Sequence, residues 1–318
     1  MARAGEMTAR GTDSGHRLSD RSAAQVAALG QAISTWGGEA PAGSRRPDLP
    51  WRSIRDPWPV LVSEIMAQQT QVARVIPIYR RFLERFPTPA ACAGAPLGEV
   101  VRAWRGLGYN RRARQVHQAA TAIVAEHGGH VPEGLAALES LPGVGPYTAR
   151  AVLAFAFGHD VGVLDTNAGR VVARAAAGRS LTRGEAQRLV DAMVPPGQGW
   201  QFNQALLDLG ATRCVAGVPQ CAGCPVQRRC RWARRGRTEP DPAPGSAVVS
   251  RRQAAFVGSD RQGRGRLVEA LRHRSVRPDE VAEVMGWPDH PERASGVVGR
   301  LVADGLVVRD ATGVLSLP

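Results

Sequence analysis

Two carboxylates in this 318-residue chain stand where their chemistry would be altered by their neighbours. Glu64 lies in LVSEIMAQQTQV (61–72), on a helical run whose other members Val60, Leu61, Val62, Ile65 and Met66 are apolar. Asp165 closes the run VGVLD and precedes the helical pattern TNAGRVVARA. An acid flanked by apolar side chains has its pKa raised by desolvation and keeps its proton near neutrality. An acid at a helix N-terminus is held ionised. Such a pair suits cleavage of an N-glycosidic bond, in which an acid protonates the departing base and an anion stabilises an oxocarbenium-like sugar. Read singly, each residue has a plainer role: Asp165 as an N-cap, Glu64 as the acid at the edge of an amphipathic helix.

Four of the five cysteines, Cys214, Cys221, Cys224 and Cys230, follow the spacing C-x6-C-x2-C-x5-C. Four thiolates so spaced could hold zinc or an iron–sulfur cluster. A metal site in a reducing cytosol fits them better than a disulfide scaffold, and Cys92 reads as a buried thiol. LESLPGVGPYTARAVLAFAFG (138–158) reads as a helix, a tight turn and a second helix opened by Pro146. Gly143 and Gly145, on either side of Val144, are expected to take positive φ and to leave N–H groups open to a phosphate. An ordinary helical hairpin would use the same glycines. RGLGYNRRAR places Tyr109 beside Arg111, Arg112 and Arg114, a setting that favours nucleic acid over an ordinary surface aromatic.

Helices must position these groups. SAAQVAALGQAISTW, VARVIPIYRRFLERF, PLGEVVRAW, NRRARQVHQAATAIVAEHGG, AGRVVARAAAG, GEAQRLVDAMV and WQFNQALLDLG all carry helical period, several with Pro, Asn or Gly at the expected ends. Strand-like runs are short: VGVL at 161–164 and LVVRD near the C-terminus. The expected fold is all-α over 21–236, after 20 disordered residues. RTEPDPAPGSAVVS (237–250) has the composition of a linker, and 251–318 reads as three helices and a hairpin, a small winged-helix-like α+β unit. The formal net charge of +13 points to a polyanionic partner. All 41 basic residues are Arg, so no ε-amine exists for a Schiff base and only the N-terminal amine could form one. The longest apolar run, 151–157, is far too short to span a bilayer, and the N-terminus has no secretory h-region. A monomer of the bacterial cytoplasm, associated with the nucleoid, is expected.

The string L-P-G-V-G-x-x-T-A resembles the helix-hairpin-helix motif of the base-excision DNA glycosylases that include endonuclease III. SEIMAQQTQV is similar to the S-E-(I/V)-M-L-Q-Q-T motif of the MutY family of adenine DNA glycosylases, and LDTNAGRV to its L-D-x-N-x-x-R-V motif. The resemblance covers about residues 25 to 235 and implies a two-lobed glycosylase domain acting on double-stranded DNA with adenine opposite 8-oxoguanine or guanine. It implies that Glu64 is the general acid at adenine N7, that Asp165 steadies the cationic sugar, and that Asn167 supports it. Tyr147 stands where bifunctional relatives carry a nucleophilic Lys, which implies a monofunctional enzyme. Gln69, Thr70 and Tyr109 would enter the duplex beside the orphaned partner once the target base is flipped out. Leu49, Trp51 and Arg52 from RRPDLPWRSIRDPW, with Val72 and Gln204, would wall the adenine pocket. The four Cys would hold a structural 4Fe–4S cluster, ordering a loop whose Arg213, Arg228, Arg229, Arg231, Arg234 and Arg235 can face phosphates; a solvated basic tail is the plainer reading of that run.

The pattern departs from the family in three places. Ala67 replaces the usual Leu before QQT, and Asn110 stands where a second aromatic is common. Residues 251–318 are too short for the Nudix-like domain that reads 8-oxoguanine in most members, a short architecture similar to that of actinobacterial adenine glycosylases. The C-terminal unit could bind DNA through RRQAAFVGSDRQGRGR or pack against the catalytic domain. Two other functions share these features: a mismatch glycosylase removing thymine or another base, and a non-catalytic iron–sulfur regulator that binds DNA.

Overall fold

The computed structural model of the chain describes residues 20–39, 49–249 and 255–318; the expected N-terminal disorder falls almost wholly outside them. The first helix, α1 (Asp20–Glu39), belongs to the second of two lobes. The first lobe is a run of seven helices. α2 (Pro57–Ala67) starts where the Asp56 carboxylate accepts the Trp58 N–H, with Pro57 at the first helical position. α3 (Val72–Arg85) stops at the C-cap Phe86, immediately before Pro87. α4 (Pro89–Ala93) is capped by Thr88, and α5 (Leu97–Ala103) leads into the Gly-rich loop at 106–109. α6 (Arg111–His127) ends at Gly128 in the left-handed region, as its Gly-Gly close predicts. The hairpin is α7 (Leu135–Ser140) and α8 (Pro146–Phe155). Trp58, Leu61, Ile65, Phe82, Trp104 and Ile123 pack its core.

In the second lobe, α9 (Thr166–Val171) runs into a π-helical turn, Val172–Ala177. α10 (Arg183–Met193) opens on a Thr182–Glu185 capping box, and α11 (Gly199–Thr212) packs on α1 and α9. The cysteine loop and the short α12 (Arg231–Arg234) follow. This core holds Leu29, Ile33, Val171, Phe202, Leu206 and Leu209. The expected strand at 161–164 does not form. Its backbone is satisfied by side chains instead: Asn203 accepts the Val163 N–H (2.8 Å) and donates to the Val161 carbonyl (2.8 Å), while Asp191 accepts the Gly162 N–H (2.9 Å) and Gln187 donates to the Gly162 carbonyl (3.0 Å).

Residues 237–249 also depart from their linker composition, because they lie fixed on the second lobe. Asp241 accepts two hydrogen bonds from the buried Arg174, at 2.9 and 2.5 Å. The Ala247 N–H bonds Leu181 (2.9 Å), and Val248 packs so tightly on Gly169 that a Cβ there would meet it at 2.2 Å. Small side chains here permit close approach as well as flexibility. The C-terminal domain is the expected α+β unit, with α13 (Asp260–Leu271), α14 (Val281–Met285), α15 (Pro291–Ala303) and the strands β1 (Val308–Arg309) and β2 (Leu315–Ser316). β1 and β2 are antiparallel, pairing Val308 with Ser316 and Arg309 with Leu315. Its core of Leu267, Leu271, Leu301 and Leu315 is continuous with that of the first lobe. No described helix is long and apolar enough to cross a membrane.

Candidate active site

Glu64 and Asp165 come from different lobes, and Asp165 lies near enough for its charge to act on Glu64. Glu64 sits in the middle of α2 with 8% of its surface exposed, although Leu61, Ile65 and Met66 around it account for the helix's packing. Burial, first, pushes its carboxyl up to about 7, the Asp165 charge adds to that, and a hydrogen bond from the Tyr147 hydroxyl opposes it. Those two influences place Tyr147, at the start of α8, and Asp165, at the start of α9, around one carboxyl group.

Asp165 is the N-cap of α9: its Oδ1 accepts the Ala168 N–H at 2.7 Å. The expectation that this position keeps it simply ionised is corrected. Burial pushes its carboxyl up as well, and the bonds from Ala168 and Asn167 and the Arg170 charge oppose that rise without cancelling it. What separates the two acids is therefore the number of donors. Asp165 has the Ala168 N–H and the Asn167 amide (2.6 Å to Oδ2) on its anion, whereas Tyr147 is the one bond opposing the rise at Glu64. Asn167 is itself held, its Oδ1 accepting Arg170 Nη2 at 2.7 Å, and a Cβ at Gly210 on α11 would meet its carbonyl oxygen at 2.6 Å. The buried Arg170 goes on to the carbonyls of Gly210 (2.8 Å) and Cys214 (3.2 Å). Sequence reading missed Arg170, although it is the Arg of the L-D-x-N-x-x-R-V string; an Arg on a helix face gives no sign of being buried.

At the hairpin turn only one of the two glycines has the expected conformation. Gly143 has φ +82° and lies so close to Gln115 that a Cβ would meet it at 2.7 Å. Gly145 has φ −102°, the extended N-cap of α8, and its Cα faces open space. Val144 between them is buried and donates its N–H to Leu141 (3.1 Å). The turn is tied to α2 by Gln68, whose Nε2 donates to the Gly143 carbonyl and the Thr148 hydroxyl, both at 3.3 Å.

Among the described residues three non-glycines have positive φ, and two are Gln69 (φ 52°) and Tyr109 (φ 46°), both exposed. Such backbone is strained for L-residues and persists where the surroundings impose it. Arg112 imposes it. Its guanidinium is buried and donates to the carbonyls of Ile65, Met66 and Gln68 (3.1, 2.8 and 2.5 Å), to Thr70 Oγ1 (2.8 Å), and to Leu107 and Gly108 (both 3.4 Å). It also lies over the rings of Trp104 and Tyr109. The sequence setting assigns Arg112 to nucleic acid; the fold makes it the post that holds both loops.

The remaining pocket candidates gather less closely. Leu49 is buried and precedes a 3-10 turn, Pro50–Ser53. Trp51 is half-buried and meets Tyr79 edge-on at 5.2 Å. Arg52 is committed elsewhere: it forms a bidentate ion pair with the buried Asp208 (2.8 and 2.5 Å), fastening this segment to α11. Val72 begins α3 and Gln204 lies on α11, both half-buried.

Cys214, Cys221, Cys224 and Cys230 all line one cavity, with Val171, Leu209, Val226 and Trp232. Among the described residues no three of His, Cys, Asp or Glu stand together as a site for a single ion. The sulfurs are prepared for negative charge. Arg174 Nη1 lies 3.4 Å from Cys214 Sγ, and the Ala233 N–H donates to Cys230 Sγ at 3.4 Å. Burial pushes the thiols of Cys214, Cys224 and Cys230 up, so a bound cation would be needed to hold them as thiolates. The donor set fits a metal–sulfur group.

Residues 62–196 match the family described as HhH-GPD superfamily base excision DNA repair protein. The chain is 42% identical over 279 residues to the adenine DNA glycosylase of Mycobacterium tuberculosis, spanning 85% of this chain and 89% of that protein. It is 41% identical over 276 residues to the adenine DNA glycosylase of Mycolicibacterium smegmatis, spanning 86% and 92%. Among solved structures it is similar to a thermostable thymine-DNA glycosylase, with a TM-score of 0.61 and 28% identity over 68% of this chain and 100% of that one.

Proposed function

Because this chain belongs to the adenine DNA glycosylase family of the HhH-GPD base excision repair superfamily, we propose that it removes adenine mispaired with guanine or 8-oxoguanine from duplex DNA. The observation that carries the reading is the convergence of Glu64 and Asp165 from separate lobes, with Tyr147 bonded to the first and Asn167 to the second. Glu64 gives its proton to N7 of the extruded adenine. The C1′–N9 bond then breaks, its electron pair leaving with the base, and Asp165 stabilises the cationic sugar until water adds at C1′. The water's proton returns to the Glu64 carboxylate. A group near pKa 7 suits both halves of that exchange. Adenine offers a ring nitrogen for the proton, which supports adenine over thymine as substrate.

Gly143 and Gly145 hold the hairpin against the DNA backbone, and Gln69, Thr70 and Tyr109 face the vacated position. Leu49, Trp51, Val72 and Gln204 form the pocket wall, which Arg52 fastens through Asp208. The four Cys, which line one cavity, hold a 4Fe–4S cluster that orders the basic loop. With no Lys in the sequence, the enzyme is hydrolytic and leaves the strand intact.

Duplexes carrying A, T, U or hypoxanthine opposite guanine or 8-oxoguanine test this directly. Scission at adenine alone, and only after alkali, is the expected result. Release of thymine would move the chain to a mismatch glycosylase of another specificity. Scission without alkali would overturn the hydrolytic assignment, and no release from any duplex would leave a DNA-binding regulator.

A further inference from the structure

The C-terminal domain meets the first lobe at the Tyr109 loop. Arg272, its side chain 6% exposed, donates Nη2 to Asn110 Oδ1 (2.9 Å) and Nε to the Val101 carbonyl (3.2 Å). Asn110 is the N-cap of α6 but makes no side-chain capping bond, its amide oxygen being turned to Arg272 instead. A second guanidinium closes the contact: Arg261 donates Nη1 to the Tyr109 hydroxyl (3.3 Å) and Nη2 to the Ala255 carbonyl (3.5 Å). One side chain therefore places the segment 255–258 beside Tyr109.

This segment is a built tip. The Ser259 hydroxyl and N–H both donate to the Phe256 carbonyl (2.6 and 3.1 Å), the Gly258 N–H donates to Gln262 Oε1 (2.8 Å), and Arg293 Nη2 donates to the Gly258 carbonyl (2.8 Å). Yet Phe256 is 56% exposed and Val257 82%. Two adjacent apolar side chains displayed on a hydrogen-bonded backbone mark a contact surface. The tip is linked to Tyr109 through Arg261 and lies on a chain of net charge +13, and an exposed aromatic near Arg side chains is the usual platform for a nucleobase.

Resting on the reading that Tyr109 enters the duplex, we propose that the 255–258 tip is a second duplex-contacting element, with Phe256 and Val257 packed against the strand that carries the partner base. The C-terminal domain then completes the DNA surface at the position where the first lobe's own loop ends.

The full chain with p-benzoylphenylalanine in place of Phe256 is irradiated on a duplex holding non-hydrolysable 2′-fluoroadenosine opposite guanine, each strand labelled in turn. Crosslinking to the partner strand is expected; crosslinking to the target strand alone, or to neither, overturns the proposal. Phe256→Ala combined with Val257→Ala should weaken binding of the same duplex about tenfold, while Phe256→Tyr, which keeps the stacking face, restores it. Both side chains lie outside the core, so both variants should melt with the parent, and parent-like affinity of the double variant overturns the proposal. Failure of the function reading is separate. A parent chain that releases no base but binds duplex through the tip loses its assigned activity and keeps this surface.

Discussion

A carboxyl group held near pKa 7 is protonated often enough to give a proton at neutral pH and is basic enough to take one back. If Glu64 is that group, single-turnover base release falls about tenfold per pH unit above about 7. A flat profile between pH 7 and 9 would remove Glu64 as the acid. Glu64→Gln should abolish release and leave duplex affinity within about a few-fold, since the amide keeps the shape and loses the proton. The same pKa is a statement about stability. The folded pKa lies above the ordinary 4.5, so the folded chain holds a proton that the unfolded chain has lost between 4.5 and about 7. Glu64's contribution is therefore fully present below 4.5 and lost as pH rises through about 7. The full loss is on the order of 3 kcal/mol. Thermal melts should show Glu64→Gln more stable than the parent at pH 8 and little different at pH 4. Glu64's unusual state was legible in its apolar neighbours. The rise at Asp165 was not, because it comes from enclosure by the opposite lobe.

At the scale of elements, two loops separated by about forty residues in sequence are held by one side chain, Arg112. Arg112→Ala removes donors from several buried carbonyls and should cost at least ~3 kcal/mol in urea unfolding. Hydrogen exchange should rise first at 67–70 and 107–110. Arg112→Lys should rescue it poorly, because an ammonium cannot reach both loops at once. Parent-like exchange in both loops would leave the strain at Gln69 and Tyr109 without this cause. Gly143→Ala meets a positive φ and the Gln115 contact together, and should lower stability by about 1–2 kcal/mol with a matching loss of duplex affinity. Helix boundaries were legible at Pro87 and Gly128, where local chemistry decides them. The missing strand at 161–164 was not legible, because the side chains that satisfy its backbone, Asn203 and Asp191 among them, lie far along the sequence.

The whole molecule is a basic surface on two lobes and a C-terminal domain, and salt should reveal how much of it touches phosphate. Log affinity plotted against log salt should lose about 0.9 in slope for each contact removed, so Arg228→Gln with Arg229→Gln should flatten it by about 1.8. An unchanged slope would assign that run to solvent. Cys224→Ser should lower the iron content of the purified chain and weaken duplex binding while leaving the first lobe folded; parent-like iron would remove Cys224 from the ligand set. The sequence by itself determined the local terms: which segments coil into helices, where Pro and Gly end them, that four thiols share one short loop, and that no lysine can form an imine. Tertiary structure alone decided which polar groups are buried and what they meet. It turned Arg112, Arg170 and Arg52 inward, bound 237–249 to the second lobe and set the C-terminal tip beside Tyr109. Those outcomes depend on desolvation and on partners far away in sequence, and neither quantity is a property of a residue and its neighbours.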